Sequence, residues 1–567
     1  MGQRYSYVGT DLGYQRAWSF PDNPEVSNAA PTTAERARPL VLSASPDTLW
    51  RIGVAGLTAI AAAFFFARLT VWPPHEDETL ALFTSRGSVG ELIRTVLGER
   101  GGAPLHFLFA WVIAHTGGGL VELRLVSTLF AVASVPLMAM LVARLTDRVV
   151  ALVATAIVVP SWMLLFHGIY GRMYSIFLFT ATLSYLALLS AIERRDRRGW
   201  ILWGLAILAC IATHPYGALV VASQGLYVLY ARRFREAVPA FAVVALLAIP
   251  FWRSDTVLAN RFEVGVGGGG TKLGSPFSIL KYLARVAGDF TVGWTPTRVA
   301  VLLVATVGMT MLARRSRKGA VLVACVIVTP FLFFAVTRIQ SGFASPESRH
   351  LIFVLPFFAA LVALPLVRLA TSPRGIALAA AIVLALGTGE IAWGLHNTRT
   401  LYVGEPQIRA DGRTGASTWL ASTSAPNDIL FGYDPVYLGA WERHRAFSDT
   451  VVPRADTKLA LRVLYRATKP LGRGIWVLDA SDNNNFTPRL HIPLRYPRPA
   501  SKFDARVFGP FLVVRSRKPV RTIREFLLQT QAVQLVGQSL YLGDSDINLL
   551  TVERALGLRG LDAGGAR

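Results

Sequence analysis

Three carboxylates and an imidazole stand side by side in Trp72-Pro73-Pro74-His75-Glu76-Asp77-Glu78-Thr79, directly after the first long apolar run of the chain. Acids beside such a run are costly to hold unless they are used. Three uses are open to them. A carboxylate can take the proton of an attacking hydroxyl as general base. Asp77 and Glu78 can ligate a divalent cation through oxygen. The acids can also simply cap a helix over 79–85. Asp77 and Glu78 have the stronger claim on a site, while His75 and Glu76 read as loop.

Cationic and aromatic groups recur in other short connectors. Arg172 lies between Tyr170 and Tyr174, and Arg349 precedes His350. A guanidinium fork suits phosphate, and an arginine at the end of a span can equally reach out to lipid headgroups. His214 sits at a helix end near Tyr216, whose ring can stack on a sugar face. Arg68, one turn inside the first apolar run, has the same two readings as the other arginines.

The elements that must hold these groups are membrane helices. The chain has 567 residues, 53% of them hydrophobic and only 16% charged, against about 25% charged in soluble proteins. The apolar residues fall in runs long enough to span a bilayer: 52–72, 120–143, 149–166, 174–192, 200–213, 216–230, 237–252, 298–313, 319–337, 350–369 and 375–395, with 103–117 as an extra candidate. The expected fold class is therefore a polytopic α-helical membrane protein of about 11–13 spans, followed by a C-terminal soluble α/β or α+β domain. The +23 formal charge is dispersed through connectors such as 193–198, 232–235, 314–318 and 368–374. It marks a cytoplasmic face and not a nucleic-acid site. Parity then puts 167–174, 214–217, 253–297 and 338–349 on the opposite, extracytoplasmic face together with the acidic stretch.

This gives a cytoplasmic tail over 1–48 with no cleavable signal, a transmembrane domain over 49–395, and an extracytoplasmic domain over 396–567. The first outer loop is 72–103, and the loop 253–297 carries Gly267–Gly270 as a flap or spacer. Strands are expected at 428–433, 474–479 and 511–514, and a helix over 522–536. Cys210 and Cys325 lie in apolar runs and read as buried hydrophobes.

Arginines for an anion, a carboxylate base and aromatics on one membrane face are what a transferase needs when its donor is a sugar on a lipid phosphate. The arginines stabilise the charge growing on the leaving phosphate, and the base activates the acceptor. Asp77-Glu78, Ala103-Pro104-Leu105-His106, Glu122-Leu123-Arg124-Leu125-Val126-Ser127, Tyr170-Gly171-Arg172-Met173-Tyr174-Ser175, Thr213-His214-Pro215-Tyr216 and Ser348-Arg349-His350-Leu351 resemble the GT-C lipid-phosphate-dependent glycosyltransferases, nearest the protein O-mannosyltransferase and aminoarabinose-transferase branch. The resemblance covers about 50–370. It implies an inverting transfer from a polyprenyl-phosphate sugar to a glycan, glycolipid or protein acceptor on the extracytoplasmic side, and the arginine-rich, lysine-poor composition points to a bacterial inner membrane. It also implies Asp77 as the essential acid with Glu78 beside it, Arg172 and Arg349 at the donor phosphate, and Tyr170, Tyr174, His214, Tyr216, His106 and His350 around the substrate. A divalent metal, held by Asp77 and Glu78, serves some members of the class and not others. The sequence departs from the aminoarabinose branch where Gly102-Ala103 replaces a Glu-Lys pair. A transporter or flippase of lipid-linked sugars is the alternative, and it calls for polar groups deep within several spans.

Overall fold

In the computed structural model, the described residues are 45–261, 273, 275–337, 347–398, 406–454, 456–479 and 503–540. Residues 1–44, most of the expected tail, and the Gly267–Gly270 run fall outside them.

The first apolar run forms α1 (Pro46–Arg68), about 34 Å long at 1.5 Å per residue and so able to cross roughly 30 Å of hydrocarbon. Next come α2 (Glu76–Thr84), α3 (Val89–Arg94), a π-helical turn Thr95–Arg100 and α4 (Pro104–His115). The helical body continues with α5 (Leu120–Leu145), α6 (Arg148–Val158), α7 (Trp162–His167), α8 (Tyr174–Arg194), α9 (Arg197–Thr213) and α10 (Gly217–Ala231). It is completed by α11 (Phe234–Leu247), α12 (Ile249–Arg261), α13 (Pro276–Asp289), α14 (Thr295–Arg315), α15 (Arg317–Thr337), a 3₁₀ turn Ser348–Val354 leading into α16 (Leu355–Leu369), and α17 (Pro373–Thr398).

Among the described residues seven helices are long and apolar enough to cross a membrane, or eight if α11 and α12, bent by 56°, count as one span. The protein is a multi-pass membrane protein. The longer count expected from sequence treats shorter pieces as spans. The run 149–166 breaks at Pro160, where Ser161 caps α7 by accepting the N–H of Leu164. The 12 residues of α4 reach only about 18 Å and do not cross.

The C-terminal region comprises α18 (Pro406–Thr423), β1 (Ile429–Phe431), α19 (Pro435–Arg443), β2 (Thr450–Val452), α20 (Thr457–Arg466), β3 (Gly474–Asp479), β4 (Phe503–Phe508), β5 (Phe511–Ser516) and α21 (Ile523–Leu540). The five strands run in the order β2-β1-β3-β5-β4, with β1 parallel to β2 and β3, and β5 antiparallel to β3 and β4. Alternation along β3 divides two cores. Ile475 and Val477 pack with Trp419 and Tyr437, whereas Trp476 and Leu478 pack with Leu464 and Phe526. The first of these cores also takes in Leu82, Phe83 and Phe107. The helices after α1 thus share an apolar core with the C-terminal sheet, which fixes α2 between the membrane body and that sheet.

Candidate active site

The acids are positioned by the start of α2. Pro73 and Pro74 lack N–H donors, so the helix begins after them. His75 caps it: its Nδ1 accepts the N–H of Asp77 at 3.1 Å, and its own N–H goes to Glu78 Oε2 at 3.0 Å. The capping option for this stretch therefore holds for His75 and Glu78, with the helix beginning at Glu76 and not near 79. The three acids of the first turn lie where the helix dipole favours negative charge.

Asp77 and Glu78 then diverge. Glu78 is wholly buried and meets the Arg124 fork, accepting Nε and Nη2 at 2.8 Å each, and Gly171 N–H at 2.8 Å. The remaining donors of Arg124 go to the carbonyls of Leu69, Trp72 and Pro73, at 3.2, 2.7 and 3.0 Å. A guanidinium has five N–H donors, and all five are used. The sequence set Glu78 beside Asp77 as its helper or as a metal ligand. The Glu78 oxygens are committed to a buried ion pair that ties α2 and α5 to the turn before α2 and to the turn 168–173. With Arg172 against Asp77 and both Glu78 oxygens taken, the pair does not fit a divalent cation. The described residues contain no group of three side chains suited to hold one.

Asp77 faces the site. Its Oδ2 lies 2.7 Å from Arg172 Nη1 and 3.4 Å from His75 Nδ1. Burial alone would raise its pKa. The Arg172 guanidinium, helped by His75, Arg349 and Arg100, outweighs that and holds the carboxyl well below the usual range. Arg172 is pushed the other way: burial opposes its charge, but Asp77 raises it above the usual arginine value. The Arg172 backbone is anchored by Ser127, whose hydroxyl donates to the Arg172 carbonyl at 3.1 Å. Gly171 beside it is tightly placed, since a Cβ there would lie 2.9 Å from Glu78 Oε1.

The structure gathers most of the residues expected from sequence. The Tyr174 ring has two guanidiniums against it, Arg172 Cζ at 5.0 Å and Arg349 Cζ at 5.2 Å from its centroid. Arg349 comes from the 3₁₀ turn before α16 and pairs with Glu347 at 2.7 Å. His350 is 6.0 Å and His214 5.7 Å from the same ring, centroid to centroid. In both histidines Nδ1 accepts a backbone N–H, from Glu347 at 3.2 Å and from Tyr216 at 3.0 Å. The neutral rings are therefore Nε2–H donors. Burial, then Arg172 and Arg349, lowers His214 to about 3, so that it is neutral at ordinary pH. Tyr170 lies against His75 at 5.3 Å. Tyr216 packs on His214, His350 and Phe334, a place that serves packing more than an open sugar face. His106, in the first turn of α4, is buried within electrostatic reach of Arg172 and Asp77. Glu76 reaches the C-terminal domain, pairing with Arg454 at 3.0 Å.

Several buried polar atoms here have no hydrogen-bond partner among the described residues: both nitrogens of His167, Tyr170 Oη, Ser175 Oγ and Arg349 Nε. Buried donors and acceptors are rarely left so, and these gather beside two arginines.

Residues 98–230 match the family model of dolichyl-phosphate-mannose-protein mannosyltransferase. The folded chain is similar to the crystal structure of ArnT from Cupriavidus metallidurans in the apo state, with a TM-score of 0.54 and 16% identity, over 82% of this chain and 97% of that one. The same ArnT bound to undecaprenyl phosphate gives a TM-score of 0.53 at 15% identity, over 82% and 97%. The chain therefore shares the fold of ArnT. An oligosaccharyltransferase of Archaeoglobus fulgidus, in complex with Zn and sulfate, has a TM-score of 0.46 at 15% identity, over 75% of this chain and 68% of that one. No curated protein sequence matches the chain.

Within this fold, the sequence motifs assign no role to Arg100, Arg124, His167 or Asp289. Arg100, from the π-helical turn, bonds Thr84 and Tyr433 at 3.4 Å each and lies close enough to lower the Asp77 pKa. Arg124 had a legible signal, a guanidinium five residues into a 26-residue apolar helix. His167 had none beyond its place in a polar connector.

Proposed function

We propose that the protein is an integral-membrane inverting glycosyltransferase that moves a sugar from a polyprenyl-phosphate donor to an acceptor hydroxyl on the extracytoplasmic side of a bacterial inner membrane. The observation that carries this is the Asp77 carboxylate set against the Arg172–Tyr174–Arg349 stack, among buried polar atoms with no partner among the described residues. In the reaction the acceptor oxygen attacks the anomeric carbon, the bond from that carbon to the phosphate oxygen breaks, and polyprenyl phosphate leaves. Arg172 and Arg349 take up the charge on the leaving phosphate. The Nε2–H groups of His214 and His350 add neutral donors that hold their state across physiological pH. Asp77 receives the acceptor proton. One displacement inverts the anomeric centre.

A carboxylate held well below its usual range is a weak base. Donor binding resolves this, because a phosphate that draws the Arg172 fork to itself removes the charge that depresses Asp77. The base is then strengthened only when the donor is in place. The acceptor is a cell-envelope glycan, glycolipid or protein, and the sugar a hexose or pentose.

The transporter alternative has Glu390, buried in α17 with neither oxygen hydrogen-bonded among the described residues. The arginines and acids that surround Tyr174, however, gather at helix ends, where chemistry on a lipid phosphate takes place. The deciding experiment is Asp77→Asn in purified protein, assayed for sugar transfer from a polyprenyl-phosphate donor and for retention of polyprenyl phosphate. Loss of about 10²–10⁴-fold in turnover is expected for loss of a general base, with the lipid still bound. Full transfer by this variant refutes Asp77 as the base.

A further inference from the structure

Asp289 is the single acidic residue between Glu263 and Glu347 in the sequence. It ends α13 in a buried position, and nothing in the reaction described above uses it. Its Oδ2 accepts the hydroxyl of Ser348, and its Oδ1 accepts the indole N–H of Trp393 of α17 at 3.2 Å. Seven residues earlier, two turns along the same face, the Tyr282 hydroxyl donates to the Glu347 carbonyl at 3.2 Å. Thus α13 grips the turn carrying Arg349 and His350 at two successive residues, and α17 braces the grip from the other side. The packing of this face is apolar elsewhere, with Val286 buried between the two polar contacts and Ile279 buried one turn before the first. Ser348 is the residue immediately before Arg349, so the position of its backbone sets where the Arg349 guanidinium meets Tyr174.

We infer that Asp289 is a positioning residue for the donor phosphate: through Ser348 it fixes the Arg349 turn against Tyr174, and its loss weakens phosphate binding without altering the rest of the lipid site. The inference rests on the proposal that Arg349 holds the phosphate of the donor. Groups that only orient a binding residue commonly matter nearly as much as that residue, because a guanidinium free to wander loses the preorganisation that makes it selective. Asp289→Asn keeps the volume and one carbonyl acceptor, but it replaces the other acceptor with a donor facing either Ser348 or Trp393. Ser348→Ala removes the same link from the other end.

The test measures binding of undecaprenyl phosphate and of the uncharged undecaprenol to full-length protein in detergent, for wild type, Asp289→Asn, Ser348→Ala, Arg349→Lys and the Asp289→Asn/Arg349→Lys double variant. Weakening of about tenfold is expected for the phosphate with Asp289→Asn and with Ser348→Ala. Undecaprenol binding should be unchanged in both, and the double variant should be little worse than Arg349→Lys alone. Should Asp289→Asn fail to fold, Ser348→Ala carries the same comparison. Equal weakening toward phosphate and alcohol means Asp289 only holds the fold, and overturns the proposal. So does additivity in the double variant, or wild-type phosphate affinity in Ser348→Ala. Wild-type phosphate affinity in Arg349→Lys overturns instead the placement of the phosphate at Arg349, which is a distinct result.

Discussion

Glu78→Gln separates two neighbouring acids that the sequence presents as a pair. Glu78 is fully buried, and its oxygens accept four hydrogen bonds, two from Arg124 and one each from the N–H groups of Gly171 and His75. A glutamine keeps the shape but places an NH₂ where only donors face it, and it leaves the Arg124 charge uncompensated at 1% exposure. Breaking one side of such a buried pair costs about 3–5 kcal/mol. At roughly 2 °C per kcal/mol for a large unit, unfolding followed by tryptophan fluorescence in detergent should move down by about 6–10 °C. Asp77→Asn should lower it far less, because Asp77 is a third exposed and water shares the screening of Arg172. Replacing Arg124 as well, in Glu78→Gln/Arg124→Gln, should recover part of the loss, since no unpaired charge is then buried. The reasoning is refuted if Glu78→Gln melts within about 1 °C of wild type yet has lost sugar transfer as completely as Asp77→Asn. That result would put Glu78 in the chemistry and not in the scaffold.

Two further outcomes follow from the same geometry. Gly171→Ala drives a methyl to 2.9 Å from Glu78 Oε1 and about as close to Leu123, and should destabilise by about 1–3 kcal/mol, read as a lower melting temperature. For pH, His214 is lowered from 6.5 to about 3, so between those values the unfolded chain binds more protons than the folded one. Its contribution to stability is present above about 6.5 and is lost as pH falls toward 3. Asp77 is shifted in the same direction but in a lower window: its folded pKa lies below the ordinary 3.8, so its contribution is fully present above about 3.8 and is lost only as pH falls below it. Melting followed from pH 7.5 to 4.5 should therefore decline, and His214→Gln should flatten the decline while Asp77→Asn leaves its slope alone.

Much of this protein was legible in one dimension. Apolar runs without charge have to leave water, so the helical membrane body could be read directly, and the short apolar run 474–479 reads as the buried strand that β3 is. Short runs misled where a proline cut them, as at Pro160, or where 12 residues were apolar without being long enough to cross. The strands β2 and β4 escaped because three residues, or a half-exposed edge such as 503–508, carry too little pattern.

The site divides in the same way. Residue type and membrane side suggested which groups belong together, because charges near a bilayer are confined to its faces. They did not assign partners. Asp77 and Glu78 are adjacent in the chain and identical in chemistry to within a methylene. A helix turns each residue by about 100°, and that rotation sends one to Arg172 and the other to Arg124. Asp289 is further still from legibility, being 60 residues before the arginine it serves and joined to it only where α13 lies against the Ser348 turn. The sequence by itself determined that Asp77, Arg172, His214 and Arg349 had reason to meet at one face of a membrane. The packing of α2, α5, α13 and the turn 168–173 decided which acid faces the ligand and which holds the scaffold, because hydrogen bonds are made by atoms a few ångströms apart in space, whatever their separation along the chain.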